Sequence, residues 1–194
     1  MSDPPPFDPD EAPADPIEKF HMWLSSAVDP QPRAMVLSTV DQDGHPDARV
    51  VMLRDVSADG WSFSTSALSP KGTQLAATPW AALTWHWPAQ GRQIRARGPV
   101  DMTDGTADFL ARPPDSRAEA IVGRRQSEPL TDLDELRAAL SDAAAQIDDV
   151  PPDWTRYLLR PNEVQFFQID PSRAHVRLRY DRTGDGWTRS LRWP

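Results

Sequence analysis

Hydrophobic positions along the chain change period twice. Ile17, Phe20, Leu24 and Val28 recur at helical spacing behind Asp15, a capping residue type, and Pro16, which suits a first helical position. From Ala34 the period becomes that of strands. Ala34–Val40, Ala48–Val56 and Trp61–Ser66 are rich in strand formers, with turns at Asp41–Asp47 and Ser57–Gly60 between them. Pro70–Thr78 reads as a short helix. Trp80–Trp87 and Arg92–Met102 read as two further strands joined at Pro88–Gly91. Helical spacing returns at Thr106–Ala111, at Arg117–Val122 and over Leu130–Asp148. In the last of these Thr131 is the expected cap, and Leu133, Leu136, Leu140, Ala144 and Ile147 form one stripe. After Pro151 and Pro152, strands are expected at Tyr157–Leu159, Glu163–Ile169, Val176–Asp181 and Trp187–Trp193.

Seven or eight mostly antiparallel strands with interspersed helices predict a mainly β, α+β architecture, a small closed or nearly closed barrel decorated by helices. Residues 1–14, with five prolines among acidic residues, read as a disordered tail. Residues 15–194 read as a single domain.

Composition narrows the function. The 194 residues carry 21 basic and 29 acidic side chains, a net charge of −8, which argues against a nucleic-acid partner. There is no cysteine, so disulfide scaffolds, cysteine-ligated metals and thiol catalysis are excluded. No apolar run approaches the roughly 20 residues that span a bilayer, and the N-terminus lacks a leader pattern. A cytoplasmic protein without a membrane partner is expected. The four histidines show no metal-ligand spacing, and no nucleophile elbow, phosphate-binding Walker loop or dinucleotide fingerprint is present.

Four clusters could carry chemistry. Arg49 and Arg54 bracket an apolar strand. Alternation puts Arg49, Val51 and Leu53 on one face and Val50, Met52 and Arg54 on the other. Ser64, Thr65 and Ser66 precede Ser69-Pro70-Lys71-Gly72, which joins hydroxyls, a cation and a helix start, the elements of a phosphate site. Arg112 and Ser116 are followed by Arg124-Arg125-Gln126-Ser127. On an extended segment Arg173, His175 and Arg177 would point the same way and could stabilise a developing anion. Taken singly, each also reads as strand-end charge, a capped turn or a solvated loop.

Their order is more specific. The segments DPIEKFHMWL, PRAMVLSTVDQDGHPDARVVMLR, LSPKG, RQIRARG, RPPDS, RQSEPL and SRAHVRLRYDRTGDGWTRSLRWP together resemble the pyridoxine (pyridoxamine) 5′-phosphate oxidase family from about Asp15 to Pro194. The resemblance implies a split β-barrel that binds FMN at a homodimer interface. Its flavin positions fall on Arg49, Val50, Val51, Met52, Leu53, Arg54, Ser64, Thr65, Lys71, Gln93, Gln126, Ser127, Phe167 and Arg177. Arg49 and Lys71 would hold the FMN phosphate, and Gln93 would face the ring. Its substrate positions fall on Arg54, Asp108, Arg112, Ser116, Arg173 and His175, with the last two beside the oxidised carbon.

The implied reaction is oxidation of a small-molecule substrate, pyridoxamine or pyridoxine 5′-phosphate, with O2 giving hydrogen peroxide. Two alternatives stand beside it. One is a flavin oxidase of the phenazine-biosynthesis type, taking a non-phosphorylated polycyclic substrate. The other is a non-catalytic flavin- or B6-binding module. The sequence departs from the family at Arg54, where lysine is usual, and at Pro70, where arginine is usual. Asp108 stands for a phosphate-binding tyrosine, and Phe167 for a tryptophan.

Overall fold

The computed structural model describes residues 6–194. Helix α1 (Pro16–Ser25) starts as expected, with the Asp15 carboxylate accepting from the Ile17 amide at 2.8 Å. It stops at Ser25, before Val28. Its buried face sends Phe20 into a nest of Trp61, Trp85 and Trp87, with ring centroids 5.3, 4.9 and 6.4 Å away.

Ten strands follow among the described residues, antiparallel at every pairing: β1 (Ala34–Val40), β2 (Pro46–Met52), β3 (Asp55–Ser57), β4 (Gly60–Ser66), β5 (Trp80–Trp87), β6 (Arg92–Asp104), β7 (Trp154–Leu159), β8 (Glu163–Gln168), β9 (Val176–Thr183) and β10 (Gly186–Leu191). Helices α2 (Pro70–Ala77), α3 (Thr106–Leu110), α4 (Pro114–Val122) and α5 (Leu133–Ala144) fill the connections.

The long strand β6 organises the molecule. One edge pairs with β5 over Arg92–Pro99. The other edge pairs with β8 over Arg92–Arg97 and with β7 over Val100–Asp104. The β7–β8 connection crosses β6 at Gly98-Pro99, where the Arg160 amide donates to the Pro99 carbonyl and the Asn162 amide to the Arg97 carbonyl, both at 2.9 Å. A Cβ on Gly98 would lie 2.0 Å from the Arg160 carbonyl oxygen, so only glycine admits the crossing. One strand therefore serves the main path β10-β9-β8-β6-β5-β1-β2 and a second path through β7 and β4 to β3. The result is a split barrel, which no strand pair closes among the described residues.

Several expected boundaries shift. The strand expected over Ala48–Val56 is broken into β2 and β3. At the break the Leu53 amide donates to the Arg33 carbonyl at 2.8 Å and the Arg54 amide to the Ser62 carbonyl at 2.7 Å. The cap of α5 is Asp132, not Thr131, and the helix covers Leu133–Ala144 rather than Leu130–Asp148. Residues 1–5 of the tail lie outside the described residues. In the rest of the tail, Phe7 and Ala12 are buried, Phe7 meets Trp23 edge-on at 5.3 Å, and the Pro13 carbonyl accepts from the Tyr180 hydroxyl at 2.8 Å.

One face of the main sheet packs the core through Leu37, Leu83, Ile94, Phe166 and Leu178. The opposite face presents Val36, Val40, Val50 and Met52, the last two 65% and 55% exposed. Val36 and Val50 are direct cross-strand partners, so this exposed apolar surface is continuous.

Candidate functional site

Arg49 leaves β2 on the core side, opposite Leu37 in register. Its guanidinium donates to Thr39 Oγ1 at 2.6 Å and to Gln74 Oε1 at 3.0 Å, and pairs with Asp47. Lys71 lies in the first turn of α2, which begins at Pro70 behind the Ser69 cap. Its ammonium donates to Thr65 Oγ1 at 3.2 Å and to Gln126 Oε1. Lys71 is only 5% exposed, and no carboxylate pairs with it among the described residues. Burial, then the nearby Arg49 charge, lowers its pKa from the ordinary 10.5 to about 8. Arg49, Lys71, Thr65 and Gln126 thus form a cradle with more positive charge than negative. Ser127, next to Gln126, takes a left-handed φ of 70°, uncommon for a residue with a side chain.

A second cluster gathers around Asp108. This residue is 7% exposed. Its carboxylate accepts from Arg54 Nε at 3.3 Å, from Arg156 Nη1 at 2.9 and 3.2 Å, and from Ser64 Oγ at 2.5 Å. Arg156 also donates to Asp55 at 3.2 Å. Arg112 lies beside them, its guanidinium 5.2 Å from the Trp154 ring and its Nε donating to the Ser116 carbonyl at 3.2 Å. Burial, then the Arg54 charge, lowers the Arg112 pKa, and Glu119 opposes that shift. The neighbouring arginines of the sequence cluster are engaged elsewhere: Arg124 with Asp153 at 2.6 Å, and Arg125 with Glu128 and Glu135 at 3.1 and 3.0 Å. A cleft of about 550 Å³ opens beside both clusters, lined by Thr65, Arg112, Gln126 and Trp154 on one side and by Leu136 and Leu140 of α5 on the other.

The third group crosses the sheet. Gln93, Phe167 and Arg177 are register partners on β6, β8 and β9, so their side chains share one face. The Arg177 guanidinium lies 5.3 Å from the Phe167 ring centroid, and the His175 ring meets Phe167 edge-on at 5.8 Å. His175 Nδ1 accepts from the Asp170 amide at 3.0 Å, which places the proton of the neutral ring on Nε2 and aims a donor away from the backbone. The expected row of Arg173, His175 and Arg177 on one extended segment is not formed. Arg173 stands in a turn with φ 72°, its amide donating to the Asp170 carbonyl at 3.0 Å, and β9 begins only at Val176. The Asp170-Pro171-Ser172 sequence makes that turn, with the Asp170 carboxylate accepting from the Ser172 amide at 2.8 Å.

The structure thus brings Arg49, Lys71, Thr65 and Gln126 together. It joins Arg54, Ser64 and Asp108, with Arg112 and Ser116 beside them, and it sets Gln93, Phe167, His175 and Arg177 in a third set. The first and third sets lie on opposite faces of the main sheet. Arg49 is paired with Leu37 on the core side, whereas Gln93 and Phe167 alternate with buried Ile94 and Phe166. Between β2 and β8 stand β1, β5 and β6, a separation of about 19 Å across the sheet. Sequence reasoning missed Thr39, Gln74 and Arg156. Their partners are 10, 25 and 48 residues away, and no local pattern announces such pairs.

A split antiparallel barrel is the architecture of the FMN-binding split-barrel proteins. An FMN-binding protein of Nostoc punctiforme related to pyridoxamine 5′-phosphate oxidase superposes with a TM-score of 0.74 over 92% of this chain and 96% of its own, at 20% identity. The chain belongs to the pyridoxamine 5′-phosphate oxidase family: residues 26–150 match the pyridoxamine 5′-phosphate oxidase description, and residues 154–194 match the pyridoxine 5′-phosphate oxidase C-terminal dimerisation region. It is accordingly a flavin-dependent oxidoreductase. Pyridoxine/pyridoxamine 5′-phosphate oxidases of Hyphomonas neptunium and Anaeromyxobacter dehalogenans are 40% and 41% identical to it. The alignments cover 91% and 94% of this chain and 85% and 96% of theirs. The structure of PhzG from Burkholderia lata 383 with tetrahydrophenazine-1-carboxylic acid superposes with a TM-score of 0.92 over 100% of both chains, at 29% identity. No helix among the described residues is long and apolar enough to cross a membrane.

Proposed function

We propose that the protein is a homodimeric FMN-dependent oxidase. It converts pyridoxine 5′-phosphate, or pyridoxamine 5′-phosphate with water taken up and ammonia released, to pyridoxal 5′-phosphate, with O2 reduced to hydrogen peroxide. The observation that carries this reading is the Arg49–Lys71 cradle. A buried lysine beside an arginine, with hydroxyl and amide groups around it and no carboxylate on the lysine, is electrostatically incomplete until an anion arrives. A flavin's terminal phosphate supplies that anion, with Arg49, Thr65, Lys71, Gln126 and Ser127 around it and the Ser64 backbone and the segment from Val50 to Leu53 alongside.

Gln93, Phe167 and Arg177 offer an amide, an aromatic face and a guanidinium to a flat ring. They lie on the opposite face of their own sheet, so one ligand can meet both sets only when a second copy supplies one of them. The exposed Val36, Val50 and Met52 surface is suited to cover that copy. When bound, FMN would supply an acceptor for a hydride equivalent from the substrate carbon and a route for that electron pair to O2. The chain's own residues place the substrate. Arg54, Arg112 and Ser116 receive its anionic tail, and Arg173 and the His175 Nε2 proton orient the reacting carbon and stabilise charge there.

A second reading, a non-phosphorylated polycyclic substrate, is favoured by the hold of Asp108 on Arg54 and by the likeness to PhzG. A peroxide assay on flavin-loaded protein separates the two. Peroxide with pyridoxamine 5′-phosphate supports the first reading. Peroxide only with a reduced tricyclic carboxylic acid supports the second. Peroxide from neither overturns the oxidase assignment.

Flavin binding should weaken as pH rises above about 8. In the free protein the Lys71 pKa is lowered to about 8, and a bound phosphate raises it again. Above about pH 8 binding must therefore take up a proton, so affinity is full below that pH and falls up to about tenfold per unit above it. Flavin titrations across pH 7 to about 9.5 read this directly. A profile as flat as that of Lys71→Met would contradict it.

A further inference from the structure

Of the two arginines assigned to the substrate's tail, Arg54 is already compensated. Arg54 and Arg156 share the Asp108 carboxylate, Arg156 also meets Asp55, and Arg112 has Glu119 near it. Arg54 and Arg156 thus face two carboxylates, Asp108 and Asp55, while Arg112 has no ion pair among the described residues. The Asp108 contribution is fixed in place, because the carboxylate is buried and the Ser64 hydroxyl holds one of its oxygens. This differs from the Arg49–Lys71 cradle, whose lysine has no acid partner. A doubly charged phosphate entering the second cluster would find only Arg112 without a paired carboxylate. To take Arg54 fully it would have to draw that guanidinium away from a buried carboxylate, leaving the acid less well paired.

We propose that Asp108 is a specificity-determining residue: as a built-in counter-ion for Arg54 and Arg156, it releases the site from dependence on a phosphate dianion and admits substrates whose tail is singly charged or uncharged. The proposal rests on the reading in which Arg54 and Arg112 receive that tail. It deepens that reading, because the same enzyme then accepts a B6 compound with or without its phosphate. Asp108 acts through the arginines and needs no contact with the reacting carbon.

The test compares dissociation constants of pyridoxal 5′-phosphate and pyridoxal for flavin-loaded protein, measured by quenching of flavin fluorescence. A phosphate meeting unpaired guanidiniums gains about a hundredfold or more in affinity. The wild type is expected to favour the phosphate ester by less than about tenfold. Asp108→Asn should raise that preference by at least about tenfold, while Asp108→Glu, which keeps the charge, should leave it within about threefold of wild type. A wild-type preference above about a hundredfold overturns the proposal without recourse to any variant. So does an Asp108→Asn protein whose preference is unchanged while both compounds bind. If neither compound binds the flavin-loaded wild type or the variants, the substrate assignment itself fails, and the proposal falls with it.

Discussion

Lys71→Met is expected to purify as a folded protein that has lost most of its flavin, and Arg49→Ala to behave in the same way. Each removes one charged hydrogen-bond donor from the proposed phosphate cradle, which corresponds to about a ten- to hundredfold loss of affinity. The double variant should be colourless. The lysine change isolates binding from stability. Burial already opposes the charge of Lys71, so methionine, which keeps the aliphatic stem and adds no charge, should leave the melting temperature of flavin-free protein unchanged or raise it. Calorimetric titration with FMN beside a thermal melt checks both halves. Unaltered flavin affinity in Lys71→Met would remove Lys71 from the site.

The second large effect concerns turnover. His175→Ala and Arg173→Ala should each slow substrate oxidation by roughly a hundredfold or more while flavin content stays near that of wild type. The geometry gives the reason. His175 is tied to the Asp170 amide through Nδ1 and braced edge-on against Phe167, so its Nε2 proton is presented from a fixed ring. Arg173 is held by a turn in a backbone conformation that costs energy for a side-chain-bearing residue, about 1–3 kcal/mol, and the turn is what aims it. Anaerobic single-turnover reduction of the flavin by pyridoxamine 5′-phosphate separates this step from oxygen chemistry. Variants that reduce flavin within about twofold of the wild-type rate would show that these residues do not act on the reacting carbon.

Much of this was legible along the chain, for identifiable reasons. The cap at Asp15, the start of α2 behind Ser69 and the alternation of β1 are local patterns, and local forces make them. The sides of Arg49 and of Val50 followed from strand alternation, which survived because the break in the strand falls after Met52. The break itself was not legible. No glycine or proline interrupts VVMLRDVS, and what turns it is pairing of Leu53 and Arg54 with Arg33 and Ser62, which lie outside the segment. Asp170-Pro171-Ser172 is a turn sequence that places Arg173 ahead of β9, so strand alternation holds only from Val176 onward. The burial of Phe7 in an otherwise polar tail depends on Trp23 and could not be read from composition. The compensation of Arg54 by Asp108 joins residues 54 apart and likewise required the fold.

Central to the proposed function is a flavin gripped by the cation cradle of one copy and the row of Gln93, Phe167 and Arg177 of another. Light scattering with simultaneous absorbance, on protein supplied with FMN, tests this most directly. The account predicts a particle of twice the 21.7 kDa chain carrying one flavin per chain. A colourless species of 21.7 kDa that takes up no FMN would contradict it.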